Sequence, residues 1–162
     1  MKKALTVFLT AVIILAWAQP GSAAKIRFKF NGWEGPEVRV FMTRPVGLAP
    51  DRPVVFVMHG TSRNADEYRD QWNTLAKEHD FLLVVPEFSE ANFPGAESYN
   101  YGYVRDSDGK AAPEPRWAFS AIGPIFDEVR RRFSVSTKHY SPVSYTHLTL
   151  PTNRVAGGGG GG

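Results

Sequence analysis

Cysteine is absent from the 162 residues, which excludes a disulfide framework, a thiol nucleophile and thiolate metal ligands. Excess charge of one sign is scarce as well. The 19 basic residues exceed the 16 acidic ones by only three, and without Lys2, Lys3 and Arg154, which lie in the terminal segments, they balance at 16 each. A basic surface for nucleic acid or anionic lipid is therefore not implied, and neither partner is expected. Long apolar runs are missing too. The longest, Ala4 to Ala18, is short of the ~20 residues that cross a bilayer.

That run has a different use. It follows Lys2 and Lys3 and leads to a Gln-Pro-Gly break and the small residues Ser22, Ala23 and Ala24, the three-part layout of a secretory signal peptide. The sequence thus predicts a leader over 1–24, cleavage near Ala23 or Ala24, and a secreted or periplasmic chain beginning near Lys25. The other end reads Val-Ser-Tyr-Thr-His-Leu-Thr-Leu-Pro-Thr from Val143, then Asn153 to Ala156, then glycine from Gly157 to Gly162. This string resembles one reading frame of a transposase adapter used in sequencing libraries, and uncalled bases recorded as G would encode the glycines. On that reading Val143 to Gly162 is adapter and poly-G, the biological sequence ends near Ser141, and 142–162 is a disordered tail. Ser144 and His147 receive no role.

Between these ends, Lys25 to Phe30 alternates charged and apolar side chains, and Val38, Val40 and Met42 alternate with Arg39, Phe41 and Thr43. Both have the period of a half-buried strand, and together they predict an antiparallel hairpin at the edge of a sheet, with Trp33 packing at its turn. Val54 to Met58 is an unbroken, mostly β-branched apolar run between Pro53 and His59-Gly60, as in a strand buried on both faces. The next segment has helical spacing: Ala65, Tyr68, Trp72, Leu75 and Ala76 share a face, with Asp66, Glu67, Arg69, Asp70 and Lys77 toward water. Asn64 suits the N-cap. Phe81 to Val85 is a second apolar run, stopped by Pro86. Strand, helix and strand of these lengths make a parallel βαβ unit with a right-handed crossover.

Glu87 to Arg116 has no period and many aromatics, and a loop of that length over the carboxyl edge of a sheet suits a substrate wall or lid. Phe93, Tyr99, Tyr101 and Trp117 are the candidate wall residues. A second helix is expected from Trp117 to Phe133, burying Phe119, Ile122, Phe126, Val129 and Phe133. His139-Tyr140-Ser141 begins a third parallel strand.

The turn after the central strand, Gly60-Thr61-Ser62-Arg63-Asn64, admits two chemical readings besides that of an ordinary connection. In one, Gly60 lets the backbone swing away so that the N–H of Thr61 or Ser62 stabilises an oxyanion. In the other it is a degenerate nucleophile elbow with Ser62 attacking, where Asn64 crowds a position that needs a small residue. Its place early in the chain favours the first. His59 is expected to fix the loop by hydrogen bonds, with Asn64, and not to act as a catalytic base.

The segment VVFVMHGTSRNADEYRDQW, followed by FLLVVPEFS, FPGAESYNYG and WAFSAIGPIFDEVRRRF, resembles the N-terminal half of secreted α/β-hydrolases of the polyhydroxybutyrate depolymerase-like esterase group, over roughly Trp33 to Ser141. The resemblance implies a truncated α/β-hydrolase fold, with N-terminal antiparallel strands followed by a parallel βαβ sheet and flanking helices, in one domain over 25–141. It further implies a serine ester hydrolase acting on an ester substrate without metal or cofactor, with Gly60, Thr61 and Ser62 near the oxyanion hole. In that group the strand entered at His139 continues into a G-x-S-x-G elbow, and the acid and histidine follow. No G-x-S-x-G occurs in this sequence. The chain as written is therefore expected to lack its catalytic residues and to be inactive. The alternative is a non-catalytic secreted module that holds polymer or glycan on the aromatic loop 87–116.

Overall fold

The computed structural model of the chain describes residues 23–106 and 108–144. The alternating segments form β1 (Ala24–Phe30) and β2 (Val38–Arg44), an antiparallel pair in register from Ala24 opposite Arg44 to Phe30 opposite Val38. The apolar runs form β3 (Val54–Met58) and β4 (Leu82–Glu87), joined by helix α1 (Ala65–Glu78). After the long loop come two short 3-10 turns, helix α2 (Ile122–Phe133) and β5 (Tyr140–Ser144). The strand order is β1-β2-β4-β3-β5, with β2 antiparallel to β4 and β3 parallel to both β4 and β5. The hairpin is thus on the sheet edge, as expected. Trp33 packs at its turn by donating its indole N–H to the Pro36 carbonyl at 2.8 Å and lying stacked near Phe93.

The chain steps from β3 to β4 in one direction and then back across β3 to β5. Right-handed crossovers therefore place the two helices on opposite faces. One core joins Val38, Val40, Met42, Phe56, Met58 and Val84 to α2 through Ile125, Phe126 and Val129. The other joins Phe41, Val57, Leu83 and Val85 to α1 through Ala65 and Ala76. Connections that leave neighbouring strands toward opposite faces open a crevice at their carboxyl ends. Here that crevice lies between the ends of β3 and β4.

Several boundaries differ from expectation for identifiable reasons. β4 does not stop at Val85 but runs through Pro86, paired with Val40, to Glu87. Leu82 donates its N–H to Pro53, on the β3 side, so by alternation Pro86 also faces β3, beyond the last paired row of Phe56 with Val84. Its missing donor thus leaves the β2 ladder intact. In α1, Leu75 is exposed, because it sits about 100° round the helix from Ala76. Arg69 takes the inner place instead, its guanidinium 5.5 Å from the Phe41 ring centre. Asn64 stands at the N-cap, yet its side chain caps nothing and donates to Glu67 at 2.7 Å. The second helix begins at Ile122, not Trp117, since Pro124 lacks an N–H and is tolerated only in a first turn. Ile125 joins its buried face, while Phe119 and Phe133 are half-buried.

The leader and the expected tail lie outside the described residues, except for 23–24 and 142–144. β5 carries Pro142, Val143 and Ser144 past the boundary expected at Ser141, with Val57 opposite Val143 and Met58 opposite Ser144. A ladder is made by backbone groups, so apart from the N–H that Pro142 lacks, which an edge strand tolerates, its register extends across these residues. Among the described residues no helix is long and apolar enough to cross a membrane.

Candidate active site

Beyond Met58 the chain makes a tight turn in which the Arg63 N–H returns to the Gly60 carbonyl at 3.2 Å. Thr61 and Ser62 are the exposed middle residues of that turn, and Gly60 and His59 behind them are buried. The left-handed residue here is Arg63, with φ 57°, while Gly60 is not among the residues of positive φ. The swing assigned to Gly60 is therefore made three residues later, at a residue with a Cβ.

Two side chains brace the turn. The His59 ring lies in the crevice between β3 and β4, where Nε2 accepts the Phe88 N–H at 2.9 Å and Nδ1 donates to the Gly60 carbonyl at 2.8 Å. The backbone amide donates at Nε2, which fixes the neutral tautomer with its proton on Nδ1. The His59 carbonyl is taken by the Tyr99 hydroxyl at 2.7 Å. Arg63 reaches across to the long loop, donating from Nη1 to Phe88 O at 2.9 Å and from Nη2 to Phe93 O at 3.0 Å and Gly95 O at 2.8 Å. Its guanidinium also lies 4.5 Å from the centre of the Tyr99 ring, and Glu90 approaches to 3.3 Å. The Arg63 side chain is only 9% exposed, and its Nε has no partner.

The electrostatics follow from burial. Desolvation lowers the His59 pKa from 6.5 to about 4; the hydrogen bond to Gly60 opposes this, and the Arg63 charge assists it. Burial likewise pushes the Tyr99 phenol up, against the pull of Arg63. His59 is thus a neutral strut. A base aimed at substrate would need a free nitrogen, and both of its ring nitrogens are occupied.

The four wall candidates do not share one surface. Tyr99 is fully buried, stacked 4.9 Å from Phe88 and tilted against the His59 ring at 4.6 Å, so it supports the turn from below and walls no pocket. Tyr101 is 66% exposed. Trp117 is half-buried, with its indole N–H donated to Ala112. Phe93 lines a cleft of about 230 Å³ together with Pro36, Pro94, Tyr103 and Arg116, between the hairpin turn and the long loop. Gly60, Thr61, Ser62, His59 and Asn64 do come together, as consecutive residues must. Arg63 was not singled out from the sequence, because an arginine between a polar turn and a helix carries no periodic or motif signal. Among the described residues no group of three or more His, Asp or Glu side chains is placed to hold a metal ion. His147 lies outside the described residues, and Ser144 ends β5.

No family profile and no curated protein sequence matches the chain. Solved structures do match it. Poly(aspartic acid) hydrolase-1 from Sphingomonas sp. KT-1 superposes on 75% of the chain with a TM-score of 0.73 and 35% identity, over 46% of its own length. LpqC, a poly(3-hydroxybutyrate) depolymerase from Bordetella parapertussis, superposes on 75% with a TM-score of 0.69 and 29% identity, over 43% of its length. The fold is that of an α/β-hydrolase. S-formylglutathione hydrolase FrmB from Staphylococcus aureus, at 13% identity and a TM-score of 0.54, shares this fold alone. The chain spans less than half the length of each of these hydrolases. The α/β-hydrolase fold expected from the sequence is therefore present in its antiparallel entry, its βαβ unit and the strand β5 beside β3.

Proposed function

We propose that this chain supplies the oxyanion-stabilising turn of a secreted serine ester hydrolase that works by acyl transfer through a Ser-His-Asp triad. The observation that carries the reading is the turn at Gly60 to Arg63. It stands at the carboxyl end of a buried strand, presents the exposed residues Thr61 and Ser62, and is braced from behind by His59 and Arg63. Backbone N–H groups held so firmly need no reorganisation when negative charge develops on a carbonyl oxygen. Ser62 itself lacks the setting of a nucleophile, since His59 has no nitrogen left to receive its proton. The likeness to a poly(aspartic acid) hydrolase and a poly(3-hydroxybutyrate) depolymerase supports an acyl substrate, which we take to be an ester.

On this reading the described residues do not supply the nucleophile, acid and base, and the chain as written is expected to be inactive. Without a nucleophile and base an oxyanion site supplies only ~10³–10⁴-fold over water. A fluorophosphonate probe and a short-chain aryl ester test this together. The 162-residue chain is expected to give no labelling and no probe-sensitive turnover, and the intact gene product to be labelled on one serine with loss of turnover. Labelling of Ser62 in the 162-residue chain would overturn the oxyanion assignment and make the turn an elbow. An intact gene product that retains polymer without cleaving it would instead be a binding module. That alternative is weakened by the burial of Phe88 and Tyr99, which removes two rings of the loop from its surface.

A further inference from the structure

We infer that Arg63 is a positioning residue for the oxyanion turn: its guanidinium sets where the Thr61 and Ser62 N–H groups point by locking the turn to the loop that follows β4. The inference rests on the oxyanion reading of that turn and adds a residue to it.

Three observations converge on Arg63. Its backbone is left-handed, at φ 57°, a conformation that is strained for a Cβ-bearing residue and that glycine or asparagine would adopt more easily. Its side chain is a nearly buried cation, which is costly to desolvate unless it is fully engaged. Its two terminal nitrogens bond three carbonyls spread over Phe88, Phe93 and Gly95, and its plane lies on Tyr99. A turn that only had to reverse the chain would need none of this. Strain together with a buried charge, at the carboxyl edge of the sheet, is the pattern of a residue whose geometry is used.

The mechanics follow from where the bonds attach. The turn has two fixed ends: Gly60, whose carbonyl receives both the His59 Nδ1–H and the Arg63 N–H, and Arg63, which is tied to the loop. Thr61 and Ser62 lie between them and contribute no side chain to either anchor. Releasing the Arg63 side chain leaves the pair held only by the backbone bond from the Arg63 N–H to Gly60 and by the start of α1, without the tie to the loop that follows β4. A guanidinium fork serves this purpose because it bonds several carbonyls in a fixed plane, whereas a lysine ammonium holds a point.

The test compares Arg63→Gly, Arg63→Lys and the unsubstituted protein by two readouts. In amide NMR spectra of the 162-residue chain, Arg63→Gly is expected to shift and broaden the Thr61 and Ser62 resonances while those of β1 and α2 stay in place, with Arg63→Lys intermediate. In the intact hydrolase, Arg63→Gly is expected to lower kcat by roughly 10²-fold with KM within about twofold, because misplaced oxyanion donors weaken the transition state and not substrate binding. Arg63→Gly also relieves the backbone, so a purely conformational role predicts equal or better function, and that result would overturn the inference. Thr61 and Ser62 resonances that superpose on those of the unsubstituted chain would overturn it as well. An intact protein without serine-dependent turnover removes the hydrolase reading and leaves the resonances alone to decide the positioning claim.

Discussion

The Phe88 N–H and the His59 ring together stand in for a missing piece of β-ladder. Leu82 donates to Pro53, and the same register carried forward would send Pro86 to Val57 and Phe88 to the His59 carbonyl. Proline has no N–H, so the ladder is interrupted there. Phe88 then donates to His59 Nε2, and the vacated His59 carbonyl is taken by the Tyr99 hydroxyl. The ends of two parallel strands are thus closed by an imidazole and a phenol from a loop 40 residues along the chain.

This closure predicts a pH dependence. Nε2 accepts only while His59 is neutral, and its pKa is lowered from 6.5 to about 4 in the folded chain. Between those values the unfolded chain binds more protons than the folded one, so stability is complete above pH 6.5 and falls as the pH drops toward 4. The loss from this residue is at most about 3 kcal/mol. The Asp70 carboxyl, held low by Arg69 and Lys25, and that of Glu128, held low by Arg131 and Arg132, lose their contributions only from the ordinary carboxylate range downward. Urea midpoints measured from pH 7 to 5 therefore isolate His59. A His59 ring that titrates near 6.5 in the folded chain would contradict the acceptor role.

Tyr99→Phe removes the hydroxyl and leaves the stacked ring. The His59 carbonyl loses its donor in a buried place, so a loss of about 1–2 kcal/mol is expected. Denaturant unfolding measures it. If Tyr99 walled a substrate pocket instead, the variant would keep its stability and change only ligand binding.

The fold was legible because each element carries its own period. The alternation of Lys25 to Phe30, the unbroken run of Val54 to Met58 and the spacing of Ile122, Phe126 and Val129 are local patterns, and parallel β3 and β4 follow from the helix between them. The site was only half legible. Gly60, Thr61 and Ser62 are adjacent in sequence, so naming the turn brought them together. The braces are not adjacent: Tyr99 and Phe88 reach His59 through a loop without periodicity, and nothing in the composition of that loop says which ring turns inward. Pro86 misled for the opposite reason. Its effect on a strand depends on which side its nitrogen faces, and that is a matter of register.

Gly35 is required by the same hairpin that carries Trp33. A Cβ at Gly35 would stand 2.2 Å from two atoms of the Trp33 ring. Gly35→Ala must therefore displace the indole from its bond to Pro36 and from its place beside Phe93, at a cost of about 1–3 kcal/mol. A red shift of tryptophan emission with a lower unfolding midpoint is expected; an unchanged spectrum and midpoint would show that the loop accommodates the methyl group.

The last prediction concerns the rows of β5 that lie beyond Ser141. β5 continues through Pro142, Val143 and Ser144, placing Val143 against Val57 and in contact with the core that packs on α1. Deleting 142–162 removes the last three rows of β5 and uncovers part of Val57, which is 2% exposed. At about 1 kcal/mol per net ladder hydrogen bond and a similar amount for a half-buried valine, the shortened chain should be less stable by about 2–3 kcal/mol. Equal urea midpoints for the 162-residue and 141-residue chains would mean that β5 draws nothing from these rows. The end of β5 would then have no fixed position beside Met58, on the edge where the Gly60 to Arg63 turn stands.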